Sequence, residues 1–212
     1  IVGAQFEPWS AEHLLGTDSV GRDMLSRLIY GARNTVSLAF VTTVVAFLIG
    51  AFAGILAALF GGWADQILSR AVDTIMAIPA LILKLLLLTV FGTSILNLVL
   101  IIAAVDSTRV FRLSRAVAMS IVVMDYIEAA RLRGDGTIRI VVLEILPNAA
   151  APLMAEFGLR FCFVFLAISA LSFLGLGIQP PLADWGSMVR ENASLIAFGD
   201  ITPLLPAFAI AV

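Results

Sequence analysis

Charge is what this sequence has least of. Asp, Glu, Lys and Arg make up 13% of its 212 residues, while 61% of the chain is hydrophobic; ordinary soluble domains carry about 25% charged residues. A water-soluble protein of this length needs more charged surface than 13 basic and 15 acidic side chains supply, so the lipid bilayer is the solvent that this composition fits. Lysine is nearly absent. Lys84 is the single one, Arg supplies the other cations and the net charge is -2, which excludes the basic footprint of a nucleic-acid-binding protein. Cys162 stands alone, so no intrachain disulfide forms, and its apolar surroundings in sequence read as those of a small buried hydrophobe. His13 is the one histidine and has no second ligand at metal spacing, so it reads as a surface residue. Also missing are the GxxxxGK[ST] phosphate loop, HExxH and GxSxG, and with them any visible site for ATP hydrolysis, zinc proteolysis or a serine nucleophile.

Long apolar runs are what the sequence has instead. Thr35 to Phe60 contains no charged residue and exceeds the roughly 20 residues that a helix needs to cross the hydrocarbon core. Within it Gly50 and Gly54 stand in GxxxG spacing, which lets a second helix approach closely. Ile75 to Phe91 reads as a second span interrupted by Pro79 and Lys84. Ile95 to Val105 reads as a third, continuing to about Phe111 and leaving the membrane as a polar-faced helix with Arg109, Arg112 and Arg115 at helical spacing. Ala149 to Leu174 is a fourth and carries Glu156 and Arg160; Ile201 to Val212 begins a fifth. The fold class expected is therefore all-α, a polytopic membrane helical bundle with about five spans visible, the last incomplete. Six are expected in the intact protein, with one helix before Ile1 and the remainder of another after Val212.

The connection 106–148 holds Arg109, Arg112, Arg115, Arg131, Arg133 and Arg139, and by the positive-inside rule it is cytoplasmic. Counting spans outward puts the segments 1–34 and 175–200 on the extracytoplasmic side of a single transmembrane domain, 1–212. In the second of these, Pro180-Pro181 reads as a rigid turn and Trp185 as the start of a short interfacial helix. Inside the cytoplasmic connection, Asp125 to Glu128 has the spacing of a capping box and Gly134 that of a helix stop. A helix of about eight residues lies between them, with Arg131 and Arg133 favourably placed at its C-terminal end. A helix that short is marginal alone and needs something to dock on.

Glu128-Ala129-Ala130, three further residues, Gly134, and Leu146-Pro147 after twelve more form a pattern that resembles the EAA loop of binding-protein-dependent, ATP-driven importers. The likeness extends along the chain. Gly16-Thr17-Asp18-Ser19-Val20-Gly21-Arg22-Asp23, Tyr30-Gly31-Ala32-Arg33, Gly61-Gly62-Trp63, Ala77-Ile78-Pro79, Leu171 to Gly177 and Trp185-Gly186-Ser187-Met188 resemble the dipeptide, oligopeptide and nickel permeases, in particular the second of the two permeases that such systems pair. Glu144, Gly136 and Asp106-Ser107 depart from the family pattern.

The resemblance implies a permease subunit working by alternating access. Asp125, Glu128, Ala129, Ala130, Arg131 and Gly134 would couple it to the ATPase. The implied partners are two nucleotide-binding ATPase subunits that hold ATP and Mg, a second related permease and an extracytoplasmic solute-binding protein. The implied location is the bacterial cytoplasmic (inner) membrane, with no cofactor and no enzymatic activity on this chain itself. Charges within a membrane are costly and tend to be paired or to face a water-filled path, so Lys84, Glu156 and Arg160 form either an ion-pair cluster or part of the solute path. An ion-gradient-driven secondary transporter is the alternative, although no inverted repeat of the kind such transporters use is visible.

Overall fold

The computed structural model describes residues 3–198, 201–202 and 204–211. Expectations that fall on residues 1–2, 199–200, 203 and 212, at the edges of the leading segment, the outer loop and the last apolar run, lie outside these. Regular structure among the described residues is helical, apart from one isolated bridge between Thr17 and Asp23.

Helix α1 runs from Met24 to Phe60, about 55 Å at 1.5 Å per residue. It therefore begins well before Thr35, where the uncharged run starts. Asp23 Oδ2 accepts the Ser26 N–H at 2.8 Å and caps the helix, and neither Arg27 nor Arg33 interrupts it. The expected second span, Ile75 to Phe91, takes in only the last two residues of helix α2 (Gly62–Met76) and all of α3 (Ala80–Phe91), and the two helices are bent by 88° at the break between them. Pro79 lacks an N–H and disfavours a helical residue before it, which ends α2, whereas Lys84 sits within α3 without disturbing it. Helix α4 is one unbroken rod, Ile95–Val122, followed by α5 (Asp125–Leu132), α6 (Thr137–Ile140), a wide π-type turn over Val141–Ile145, and α7 (Leu146–Phe173). Helix α8 (Trp185–Asn192) and α9 (Leu204–Ala211) complete the order, with a 3-10 segment, Ala193–Phe198, between them. By length and composition, Met24–Phe60 and Thr137–Phe173 are able to cross a membrane, and α2 with α3 makes a third if taken as one broken span.

The chain divides into two compact units. One comprises residues 1–41, 85–98 and 163–212. Its leading loop is held by Asp18, fully buried, which accepts the N–H groups of Val20 and Arg22 at 2.8 and 2.9 Å and Arg27 Nη1 at 2.5 Å. Burial works against ionisation of Asp18, but the Arg22 and Val20 N–H groups and the Arg27 guanidinium outweigh it and hold the carboxyl below the usual range. Arg27 also donates to Glu191 of α8 at 2.8 Å. The surroundings of Trp185 are set within this unit, and the surface reading of His13 is corrected. Trp185 is held by its own chain, its Nε1 donating to the Leu28 carbonyl at 2.8 Å and its ring packing edge-on against Phe165, while Gly186, Ser187 and Met188 beside it are buried. Helix α8 is thus packed against the protein on its Gly186–Met188 side, while Arg190 is exposed. His13 is half-buried, 3.3 Å from Asp23 and 3.7 Å from Glu7, because the loop folds those two carboxylates around it.

The second unit comprises residues 42–84 and 99–162. Gly50 and Gly54 give α1 its contact with α4: a Cβ at Gly50 would strike the Ser107 carbonyl, and one at Gly54 would come within 2.6 Å of the Phe111 carbonyl and 2.9 Å of the Arg115 nitrogen. The core here is Ile55, Ala118, Ile121, Ile127, Ala130, Ile140, Val141, Ile145, Ala149 and Leu153. Cys162 is exposed, against the expectation of burial, because it lies on the outer face of α7 two residues from buried Arg160.

Candidate functional site

Helix α5 is attached to the second unit by one edge. Ile127 and Ala130, three residues apart, are fully buried in the core against α4, α6 and the turn before α7. Burying an isoleucine side chain is worth about 1.5–3 kcal/mol, which suffices to hold a helix too short to persist alone. The remaining residues from Asp125 to Gly134, including Glu128, Ala129 and Arg131, are exposed. The expected capping box does not form. Met124 occupies the N-cap position, its carbonyl accepting from Ile127 and Glu128 at 2.9 and 3.4 Å, and no side chain caps the helix. Asp125 is consequently the first helical residue, and it and Glu128 act on the helix through the dipole alone.

The C-terminal end is built as the glycine spacing suggests. Gly134 has φ +80°; its N–H bonds to the Arg131 carbonyl at 2.9 Å, and the Asp135 N–H bonds to the Ala130 carbonyl at 3.1 Å. That pair of bonds is a Schellman ending, which requires the left-handed residue that glycine supplies without strain. Just beyond it, Asp135 lies 3.1 Å from Arg133 and 3.4 Å from Arg139, and Arg133 also reaches Glu144 at 3.5 Å. Arg131 turns back towards the end of α1, its Nη2 3.5 Å from the Leu59 carbonyl.

A second constellation lies in the helices of the same unit. Lys84 Nζ is 2.6 Å from Asp106 Oδ2, Arg160 Nη1 is 3.7 Å from Asp106 Oδ1, and Arg160 Nη2 is 2.5 Å from Glu156 Oε1. Two cations and two anions make a neutral group, with Lys84, Asp106 and Arg160 each 4% exposed. Helical spacing finds the Glu156–Arg160 pair, but Asp106 is missed, since it is 22 residues from Lys84 and carries no local pairing signal. Asp65 and Arg115, a bidentate pair joining α2 to α4, escape notice for the same reason. Among the described residues no group of three His, Cys, Asp or Glu side chains is placed to hold a metal ion.

Residues 46–212 match the family described as binding-protein-dependent transport system inner membrane component. The chain is 39% identical over 190 residues to the di/tripeptide transport system permease protein of Pseudomonas aeruginosa, and 36% identical over 201 residues to the dipeptide transport system permease protein of Alkalihalophilus pseudofirmus. These matches take in 90% and 95% of this chain but 63% and 66% of the relatives, so the chain spans just under two thirds of their length. It is 33% identical over 201 residues to the glutathione transport system permease protein of Pectobacterium atrosepticum, covering 95% of this chain and 67% of that protein. Among solved structures, an inward-facing methionine ABC transporter superposes with a TM-score of 0.71 at 17% identity, covering 89% of each chain. An amino acid ABC transporter gives 0.55 at 18%, covering 88% of this chain and 92% of that one. At such identities these two likenesses concern the fold alone.

Proposed function

The chain belongs to the family of binding-protein-dependent transport system inner membrane components, and from that premise we propose that it is the membrane-spanning permease subunit of an ATP-driven importer of peptides or related small solutes. Relatives of 33 to 39% identity named for dipeptide, di/tripeptide and glutathione transport support that solute class. None of these relatives is named for ion-gradient transport. In this reading the segment 106–148 faces the cytoplasm, 1–34 and 175–200 face outward, and an extracytoplasmic solute-binding protein delivers the solute. A second related permease completes the path. ATP and Mg bind two separate nucleotide-binding subunits, and this chain hydrolyses nothing.

The observation that carries the proposal is the one-sided attachment of α5. Ile127 and Ala130 fasten it to the permease while Glu128, Ala129 and Leu132 are exposed, so a partner gripping the outer face would move α4, α6 and the start of α7 through the shared core. Lys84, Asp106, Glu156 and Arg160 serve as a structural brace: their charges are matched within the cluster, which leaves little for a solute to recognise.

The coupling role is tested at Gly134. Nothing lies within 4 Å of a Cβ placed there, so Gly134→Val meets no steric clash and acts through its positive φ alone, unwinding the last turn. The expected result is near-normal abundance in the membrane, weakened co-purification of the ATPase subunit and loss of solute uptake. Normal association with normal uptake would overturn the assignment of α5.

A further inference from the structure

Helix α2 has an apolar face that its own unit leaves uncovered. Trp63, Ile67, Leu68, Ala71 and Ile75 recur at helical spacing on one side, yet no residue of α2 is buried. The contacts it makes run along one border of that face, where Asp65 pairs with Arg115 and Met76 Sδ lies 3.9 Å from Arg112 Nη1. The apolar side therefore points away, with Trp63 81% and Ile67 63% exposed.

The way α2 is joined to its neighbours says what covers that face. It is entered from α1 through a corner of two glycines, Gly61 and Gly62, at φ +59° and +55°, and left through Pro79 into α3. Helix α3, ALILKLLLLTVF, is apolar but for Lys84 and Thr89 and stands at 88° to α2. If α3 follows the membrane normal, α2 lies in the membrane plane. An amphipathic helix so oriented, with a tryptophan at one end, matches what the boundary between headgroups and acyl chains accepts. Asp65, Asp73 and Arg70 leave α2 without net positive charge, so apolar burial, and not attraction to anionic lipid, holds it there.

We propose that α2 is an interfacial helix of the bilayer, its Trp63–Ile67–Ala71–Ile75 face sunk to the headgroup–acyl boundary at one constant depth, so that it is no limb of a re-entrant loop. The proposal rests on the membrane residence of the chain and is independent of its solute and of α5. The test is spin-label accessibility in the full-length permease, assembled with its partner subunits in phosphatidylcholine vesicles, with Cys162→Ser and single cysteines along α2. Labels at Ile67, Ala71 and Ile75 should meet molecular oxygen at one shallow depth, about 5–10 Å below the headgroups, while labels at Gln66, Arg70 and Asp73 on the opposite, polar side should meet a water-soluble nickel chelate. Depth increasing steadily from Ile67 to Ile75 would make α2 a re-entrant limb and overturn the proposal. Exclusion of both reagents from the apolar face would place a protein partner on it, and free access of the chelate all round would place water there; either overturns it too. A label at exposed Ile49 of α1 reports membrane embedding separately, and loss of oxygen access there would refute the membrane reading itself.

Discussion

Asp106 takes Lys84 on one carboxylate oxygen and Arg160 on the other, and Arg160 in turn holds Glu156. Removing one member of such a group leaves a buried charge unmatched, which typically costs about 3–5 kcal/mol. Arg160→Ala strands Glu156, since Asp106 keeps Lys84 at 2.6 Å, and is expected to lower stability in detergent. Glu156→Gln in the same molecule should restore part of the loss, with a coupling of about 0.5–3 kcal/mol. Asp106→Asn should be the worst single change, because it leaves Lys84 with no anion and Arg160 with Glu156 only. Thermal unfolding of the singles and the double in detergent provides the check. Strict additivity of Arg160→Ala and Glu156→Gln would mean that the pair is uncoupled, and the alternative, a place on the solute path, would then gain.

At the scale of elements, close approach and exposure decide what each helix does. Helix α1 meets α4 through Gly50 and Gly54, where backbone lies against backbone, so even one methyl group at Gly54 must push α4 away. Gly54→Ala is expected to destabilise the chain by about 1–3 kcal/mol. Gly158→Ala, in α7 with open space at its Cβ, should be neutral or stabilising by up to about 1 kcal/mol, since alanine is the better helix former. Opposite signs in parallel melts of the two variants would verify that packing, and not glycine flexibility, sets the first; equal effects would contradict it. Helix α5 illustrates how much of an element is legible locally. Its length and its Gly134 ending follow from spacing and from φ preference, both short-range properties. Its N-terminus was misread because Asp125 is a good capping residue, yet Met124 takes the N-cap position once Ile127 and Ala130 are pulled into the core.

For the whole molecule, division of labour is the principal expectation. The purified chain should show no ATP hydrolysis, and its co-expression with nucleotide-binding subunits should yield a membrane complex that turns ATP over; sustained turnover by the chain alone would contradict the permease reading. The membrane setting, the all-helical class and the family were all legible in the sequence, because hydrophobic run length, charge scarcity and motif spacing are properties of neighbouring residues. Helix breaks at Pro79 and Gly134 were legible for the same reason. Tertiary structure alone decided which distant charges meet, as with Lys84 and Asp106 or Asp65 and Arg115, because such pairs form between helices and leave no periodicity in the chain. It also decided that His13 and Trp185 turn inward and that Cys162 turns outward, since the side of a loop or helix that is covered depends on what packs against it, and in a chain this apolar nearly every side is hydrophobic enough to be either.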